Sequence, residues 1–227
     1  MHSHDKIAEV FDQWAQSERA QKMADGHQFA ARYAFTRLEV EQEDRYLDIG
    51  CGLGYSVRWA AELSSSVHAL GVDVSGAMVT KARNLAHAQE NAHFRQGHFP
   101  AVVAGETFNR IFSVEALYYL PDLATALIAV FNALKPGGRF VAVIDHYHEN
   151  EASHAWTERV NVPLVLWTID EWRMGMQAAG FINVQLEQLR YPESVHATQW
   201  QTTVGSLVLV GDRTSSPSES SAQEASR

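Results

Sequence analysis

The sequence predicts an α/β fold built on a mostly parallel sheet, and three observations carry that prediction. From residue 45 to residue 145, short apolar runs alternate with segments of helical periodicity. A glycine-rich turn, Gly50-Cys51-Gly52-Leu53-Gly54, follows the first of those runs directly. The run RFVAVID at 139–145 is apolar almost throughout, as a strand buried on both faces must be. Strands joined by single helices form right-handed βαβ units, so their neighbours are parallel.

The elements follow in order. Ile7, Val10, Phe11 and Trp14 fall at helical spacing and predict an amphipathic helix over 5–17. Phe29, Ala30, Tyr33, Ala34 and Leu38 predict a second. Residues 45–49 read as a strand, 55–63 as a helix and 67–74 as a strand, after which Ser75 can cap a helix over 76–88. Residues 92–96 and 109–117 are strands. Asp122 can cap a helix over 123–134, which Lys135-Pro136-Gly137-Gly138 stops before the strand at 139–145. Thr168 and Glu171 form a capping box for a helix that ends at Gly180. Residues 181–189 and 206–210 are the last strands, and one of them is expected to run antiparallel at an edge of the sheet. Residues 1–40 are expected to form an N-terminal helical lid over a core at 41–211, with an acceptor-covering insertion near 147–168. The Ser-rich stretch 212–227 is expected to be a disordered tail.

Composition narrows the partners. At 227 residues the chain can bury a core without staples. Its formal charge of −9 argues against nucleic acid and against an anionic membrane surface. Cys51 is the only cysteine, so no internal disulfide can form. The N-terminus lacks the apolar core of a signal peptide, and no apolar run reaches the length of a membrane span. A cytoplasmic protein is expected, with no membrane partner; oligomeric state leaves no trace in these features.

The glycine turn lies where ligands bind in such sheets, outside the carboxyl ends of the strands. Asp73 stands at the end of the second strand, about 20 residues on, where an acid can accept from ribose hydroxyls. The two features together point to an adenosine-type cofactor. No Gly-Lys-Ser/Thr follows, so the turn is not a P-loop. Asp48 discriminates further, because a carboxylate beside a diphosphate is repulsive, whereas beside a sulfonium and an ammonium it is favourable. Cys51 fits as a small residue between glycines rather than as a nucleophile.

The stretches YLDIGCGLGY, GVDVSGAMVTKAR, RIFSVEALYYLPD and LKPGGRFVAVID resemble, in this order, the class I S-adenosylmethionine-dependent methyltransferases of the small-molecule "type 11" kind. The resemblance implies a Rossmann-like, doubly wound, seven-stranded sheet with a reversed last strand. It implies that Asp48, Gly50, Gly52 and Gly54, with Cys51 inside the turn, surround the methionine moiety. It implies that Asp73 binds the ribose with Val74 beside the adenine, and Met78 and Glu115 are counted with the cofactor-binding residues. In place of the family's Gly-Asp-Ala after the third strand stands QGHFPAV, so His98 and Phe99 are the candidates for the adenine.

The activity implied is methyl transfer from S-adenosylmethionine to a small-molecule acceptor. Glu115 and Tyr118 after the fourth strand, His146 after the fifth and His154 beyond it are the candidate catalytic residues. Arg19, Met23 and His27 belong to the segment that can lie over the cofactor. A metal set drawn from Asp145, His146, His148, Glu149 and His154 lacks a firm ligand pattern, and no metal is expected. An NAD-dependent oxidoreductase and a non-catalytic binder of the sulfur nucleosides are the alternatives.

Overall fold

The computed structural model describes residues 3–215. Two helices come first, α1 (Ser3–Ala15) and α2 (Arg19–Leu38). Then β1 (Arg45–Ile49), α3 (Tyr55–Leu63), β2 (His68–Asp73), α4 (Gly76–Leu85) and β3 (Ala92–Gln96) alternate. They are followed by β4 (Phe108–Val114), α5 (Leu123–Ala133) and β5 (Leu134–Ile144). The last part comprises α6 (Trp156–Val160), α7 (Ile169–Ala179), β6 (Ile182–Leu189), α8 (Gln199–Thr203) and β7 (Ser206–Asp212).

The seven strands form one sheet in the order β3-β2-β1-β4-β5-β7-β6. β1 to β5 are mutually parallel, and β7 is antiparallel to both of its neighbours. The reversed strand is therefore internal, not at the edge as the sequence led us to expect; β6 is the edge. Burial explains the exchange. Residues 206–211 of β7 are all buried, whereas β6, with Gln185, Glu187 and Gln188, is largely exposed. An apolar strand gains most with a neighbour on each side, and a polar one tolerates the edge.

Side-chain alternation splits the core into two layers. Phe140, Ala142 and Ile144 of β5 pack with Leu123, Leu127 and Val130 of α5 and with Trp172 and Met176 of α7. Val141 and Val143 face the other way, towards Ala30, Ala34 and Leu38 of α2, Val57 and Ala60 of α3, and Val79 and Ala82 of α4. α2 also reaches the edge strand: the Tyr33 hydroxyl donates to the Glu187 carboxylate at 2.8 Å and Arg37 donates to Gln185 at 3.0 Å.

The predicted caps sit at their helices. Ser75 Oγ accepts from Met78 N, Asp122 from Thr125 N, and Thr168 with Glu171 makes the reciprocal pair. Gly180 closes α7 at φ 106. Other boundaries moved. α2 begins ten residues before its apolar stripe, and the 109–117 strand stops at Val114 because Glu115 turns left-handed, φ 56. Lys135 to Gly138 already belong to β5. β7 runs through Asp212, into the stretch expected to be disordered, because Asp212 accepts from Arg139 Nε at 2.7 Å. Arg213 then donates to the carbonyls of Phe131, Asn132 and Leu134 at the end of α5, the end of a helix dipole that favours a cation. Residues 216–227 of that tail lie outside the described residues.

One consequence can be measured directly. Thr168→Ala removes the hydroxyl that accepts from Glu171 N and leaves the Glu171 carboxylate on the backbone N–H of residue 168, so stability should fall by about 1 kcal/mol. For a domain of this size that is about 2–4 °C in a thermal melt, while Glu171→Gln, which keeps the box, should lose less.

Candidate active site

At the carboxyl end of the parallel strands a cavity of about 360 Å³ opens between the sheet and the first two helices. That volume is in the range of small-molecule sites. The floor is the glycine turn. Gly50 N and Cys51 N both donate to Val72 O, at 2.8 and 3.1 Å, which ties the turn to the end of β2. Gly52 (φ +50) has nothing within 4 Å of where a Cβ would stand, so a ligand can approach its backbone closely. Gly54 has a different job. Phe94 and Ala82 fill the position of its missing Cβ, and it does not line the cavity. Its place among the candidate cofactor residues is corrected: it lets α3 pack against β3.

Two carboxylates flank the turn. Asp48 ends up buried under it, with one oxygen accepting from Ser56 Oγ of α3 and the other, Oδ1, buried without a partner among the described residues. Burial, reinforced by the charge of Asp73, pushes its carboxyl up to about 7. Asp73 accepts from Gly52 N at 2.9 Å and from Ser75 N at 2.8 Å, which fixes its carboxylate at the cavity wall. Each of its oxygens keeps a further lone pair. Cys51 lines the cavity too, and burial together with both aspartates holds its thiol well above the usual range, so it is not a thiolate. Val74, Met78, His98 and Phe99 complete this side.

The opposite wall carries a polar cluster. Glu115 accepts from the Asp145 backbone N–H and, at 2.7 Å, from the Tyr118 hydroxyl. Burial and the neighbouring charge of Asp145 push its carboxyl up to about 8. Asp145, fully buried just past β5, has its Oδ2 3.2 Å from His27 Nδ1. Burial disfavours the charged form of His27, but the bond to Asp145 and the charges of Glu115 and Asp145 outweigh it and raise the ring's pKa.

The structure brings Glu115 and Tyr118 to the cavity but not His146 or His154. Successive residues of an extended chain point to opposite faces, so with Asp145 turned inward His146 turns away. Its ring sits between Tyr118 and Trp156, with Nδ1 3.1 Å from Ser153 O, and burial lowers its pKa. Asn150 Nδ2 donates to Asp145 O at 2.7 Å and folds the segment back, and His154 ends exposed, bonded to His148 O at 2.9 Å. The two are corrected as candidates for facing a reacting methyl group, and on this wall it is His27 that lines the cavity.

The roof comes from α1 and α2. Ile7, Phe11 and Trp14, read from the sequence as one apolar stripe, line the cavity. Phe11 packs edge-on to Tyr119 at 5.2 Å, and Arg19 lies over Trp14 at 3.8 Å. Asp12 fastens α1 to α4 by accepting from Ser75 Oγ at 2.5 Å and Ala77 N at 3.0 Å. No sequence signal marks Asp12, since a polar residue on an amphipathic helix reads as solvated.

Known proteins resemble this chain. A family model described as a methyltransferase domain matches residues 40–180. The methyltransferase phqN of Penicillium fellutanum is 27% identical over 190 residues, covering 78% of this chain and 57% of phqN. A trans-aconitate 2-methyltransferase of Azoarcus sp. is 30% identical over 133 residues, covering 59% of this chain and 51% of that protein. The chain thus spans about half the length of these curated relatives. Among solved structures, a chain from the complex between the Haloferax volcanii Trm112 methyltransferase activator and a methyltransferase superposes with a TM-score of 0.80 at 28% identity. That match covers 90% of this chain and 97% of that one. With the family model spanning well over half of the chain, and the glycine turn and Asp73 set in one cavity, this protein belongs to the class I S-adenosylmethionine-dependent methyltransferase family.

Proposed function

We propose that this chain transfers a methyl group from S-adenosylmethionine to a small-molecule acceptor. The observation that carries the reading is the buried Asp48 Oδ1, without a partner among the described residues, in one cavity with the open backbone of Gly52 and with Asp73. Two buried carboxylates at a glycine turn repel a diphosphate and suit a ligand that carries a sulfonium and an ammonium. The residues present fit that ligand. Gly50, Cys51, Gly52 and Asp48 hold its methionine end, the free lone pairs of Asp73 accept from the ribose, and Val74, Met78, His98 and Phe99 enclose the base. The bound cofactor supplies an electrophilic methyl group on sulfur.

The chain's own residues have three tasks. The turn and Asp73 fix the donor, because an in-line displacement gains most of its rate from alignment. Glu115 and Tyr118, locked to each other, shape the wall where the acceptor approaches. α1 and α2 act as a lid that keeps water from the site, with Phe11 and Trp14 as its inner surface. The carboxylates of that wall, Asp145 buried and Glu115 half-buried, favour a neutral or cationic acceptor, or one met through a cation, over a bare anion.

The test has two parts. S-adenosylmethionine and S-adenosylhomocysteine should each raise the melting temperature of the full chain, since a ligand that binds only the native state stabilises it; NAD should not. Incubation with methyl-labelled cofactor and a metabolite extract should then place label on a small molecule. Binding of NAD and of neither sulfur nucleoside would overturn the cofactor assignment. Binding of both nucleosides with no labelled product in any extract fraction would favour a non-catalytic binder.

A further inference from the structure

We propose that His27, Glu115 and Asp145 form a site for one divalent cation on the acceptor wall, of the kind that takes mixed nitrogen and oxygen donors. The inference rests on the methyl-transfer reading only for what the cation would do, not for whether it binds.

Three separate elements, α2, the end of β4 and the end of β5, deliver one donor each, and these donor atoms lie within 4.8 Å of one another. The 3.2 Å between His27 Nδ1 and Asp145 Oδ2 is close to the edge of an octahedron with bonds of about 2.1 Å, about 3 Å. Asp145 is fully buried, and its Oδ1 has no partner among the described residues. A buried carboxylate oxygen left unpaired beside a second, half-buried carboxylate is costly unless positive charge arrives.

The supports that orient ligands are also in place. The Asp145 N–H and the Tyr118 hydroxyl each hold one Glu115 oxygen, and each oxygen keeps a lone pair for a cation. Asn150 holds the Asp145 carbonyl. His27 and Glu115 line the cavity, so the cation's remaining positions open onto the space where the acceptor enters. An acceptor that presents an oxygen donor would bind there and be polarised. Two carboxylates with one imidazole suit Mn²⁺ or a similar first-row ion better than a thiol-seeking one. These are not the histidines whose spacing the sequence made suspect: His148 and His154 lie outside the cavity.

The experiment needs no acceptor. Full-length protein freed of metal with a chelator is titrated with Mn²⁺ while the electron paramagnetic resonance signal of the aquo ion is followed. The signal should be lost up to one ion per chain, and Mn²⁺ should raise the melting temperature. Asp145→Asn and Glu115→Gln should each weaken binding by at least about tenfold, while His154→Ala leaves it unchanged. Circular dichroism reports whether each variant folds. If Asp145→Asn does not, Glu115→Gln and His27→Gln decide. S-adenosylhomocysteine binding is measured by calorimetry on the same samples, so a wrong cofactor assignment shows there and leaves the metal result standing. No loss of signal at roughly millimolar Mn²⁺, or binding that these variants do not weaken, would overturn the proposal.

Discussion

Asp73→Ala should weaken S-adenosylhomocysteine binding by about 10- to 100-fold and lower the melting temperature as well. The side chain does two things at once. Its oxygens accept from Gly52 N and Ser75 N and, on the proposed reading, also accept from ribose hydroxyls. Hydrogen bonds to a charged acceptor contribute roughly 1.5–3 kcal/mol, which sets the loss of affinity. The stability loss comes from the two backbone amides, each of which loses its acceptor near the cavity floor. Calorimetric titration gives the first quantity and a thermal melt of the ligand-free protein the second. An affinity close to wild type in a folded Asp73→Ala protein would mean that the ribose lies elsewhere.

Asp48→Asn is expected to act in opposite directions on stability and on binding. Burial pushes the Asp48 carboxyl from 3.8 up to about 7. A group with a raised folded-state pKa binds more protons when folded, so ligand-free stability falls as pH climbs from about 4 to about 7. Asparagine cannot ionise, and its amide oxygen can still accept from Ser56 Oγ. At pH 8 the variant should therefore be the more stable protein, by up to a few kcal/mol. Binding of the cationic cofactor runs the other way. It favours the ionised carboxylate, so wild-type affinity should rise between pH 6 and 8 and then level off, and the variant should lack that rise. The difference between the two profiles isolates Asp48 from Glu115, which titrates in the same range in both proteins. Identical profiles would remove Asp48 from the cofactor site, and the argument against a diphosphate would fall with it.

On the proposed reading, pairing of this buried carboxylate with a cationic ligand is what offsets such a cost. An acid held near its own titration point destabilises the empty protein and rewards the bound one. The same reasoning applies across the cavity, where Glu115 and Asp145 face each other from adjacent strand ends. The N-terminal helices close the space between these two acidic regions. They hold on through Asp12 at α4 and through Tyr33 and Arg37 at β6, so the roof is anchored on opposite sides of the sheet.

Local chemistry was legible in the sequence. The alternation of runs marked five parallel strands, Ser75, Asp122 and Thr168 marked their helices, and the glycine turn with Asp48 and Asp73 marked one end of the cavity, because each depends on residues close along the chain. What depended on distant residues was not. The reversed β7 entered the sheet rather than its edge because β6 is too polar for the inside, a comparison between two strands that neither makes alone. Gly54 serves Phe94, forty residues on. His146 and His154 followed a strand end as a site residue should, yet alternation and the Asn150 turn carried them away, and α2 delivered His27 across 118 positions to Asp145 instead. A sequence lists its ionisable groups, but only the tertiary fold decides which of them share a low-dielectric cavity, and therefore which can act together.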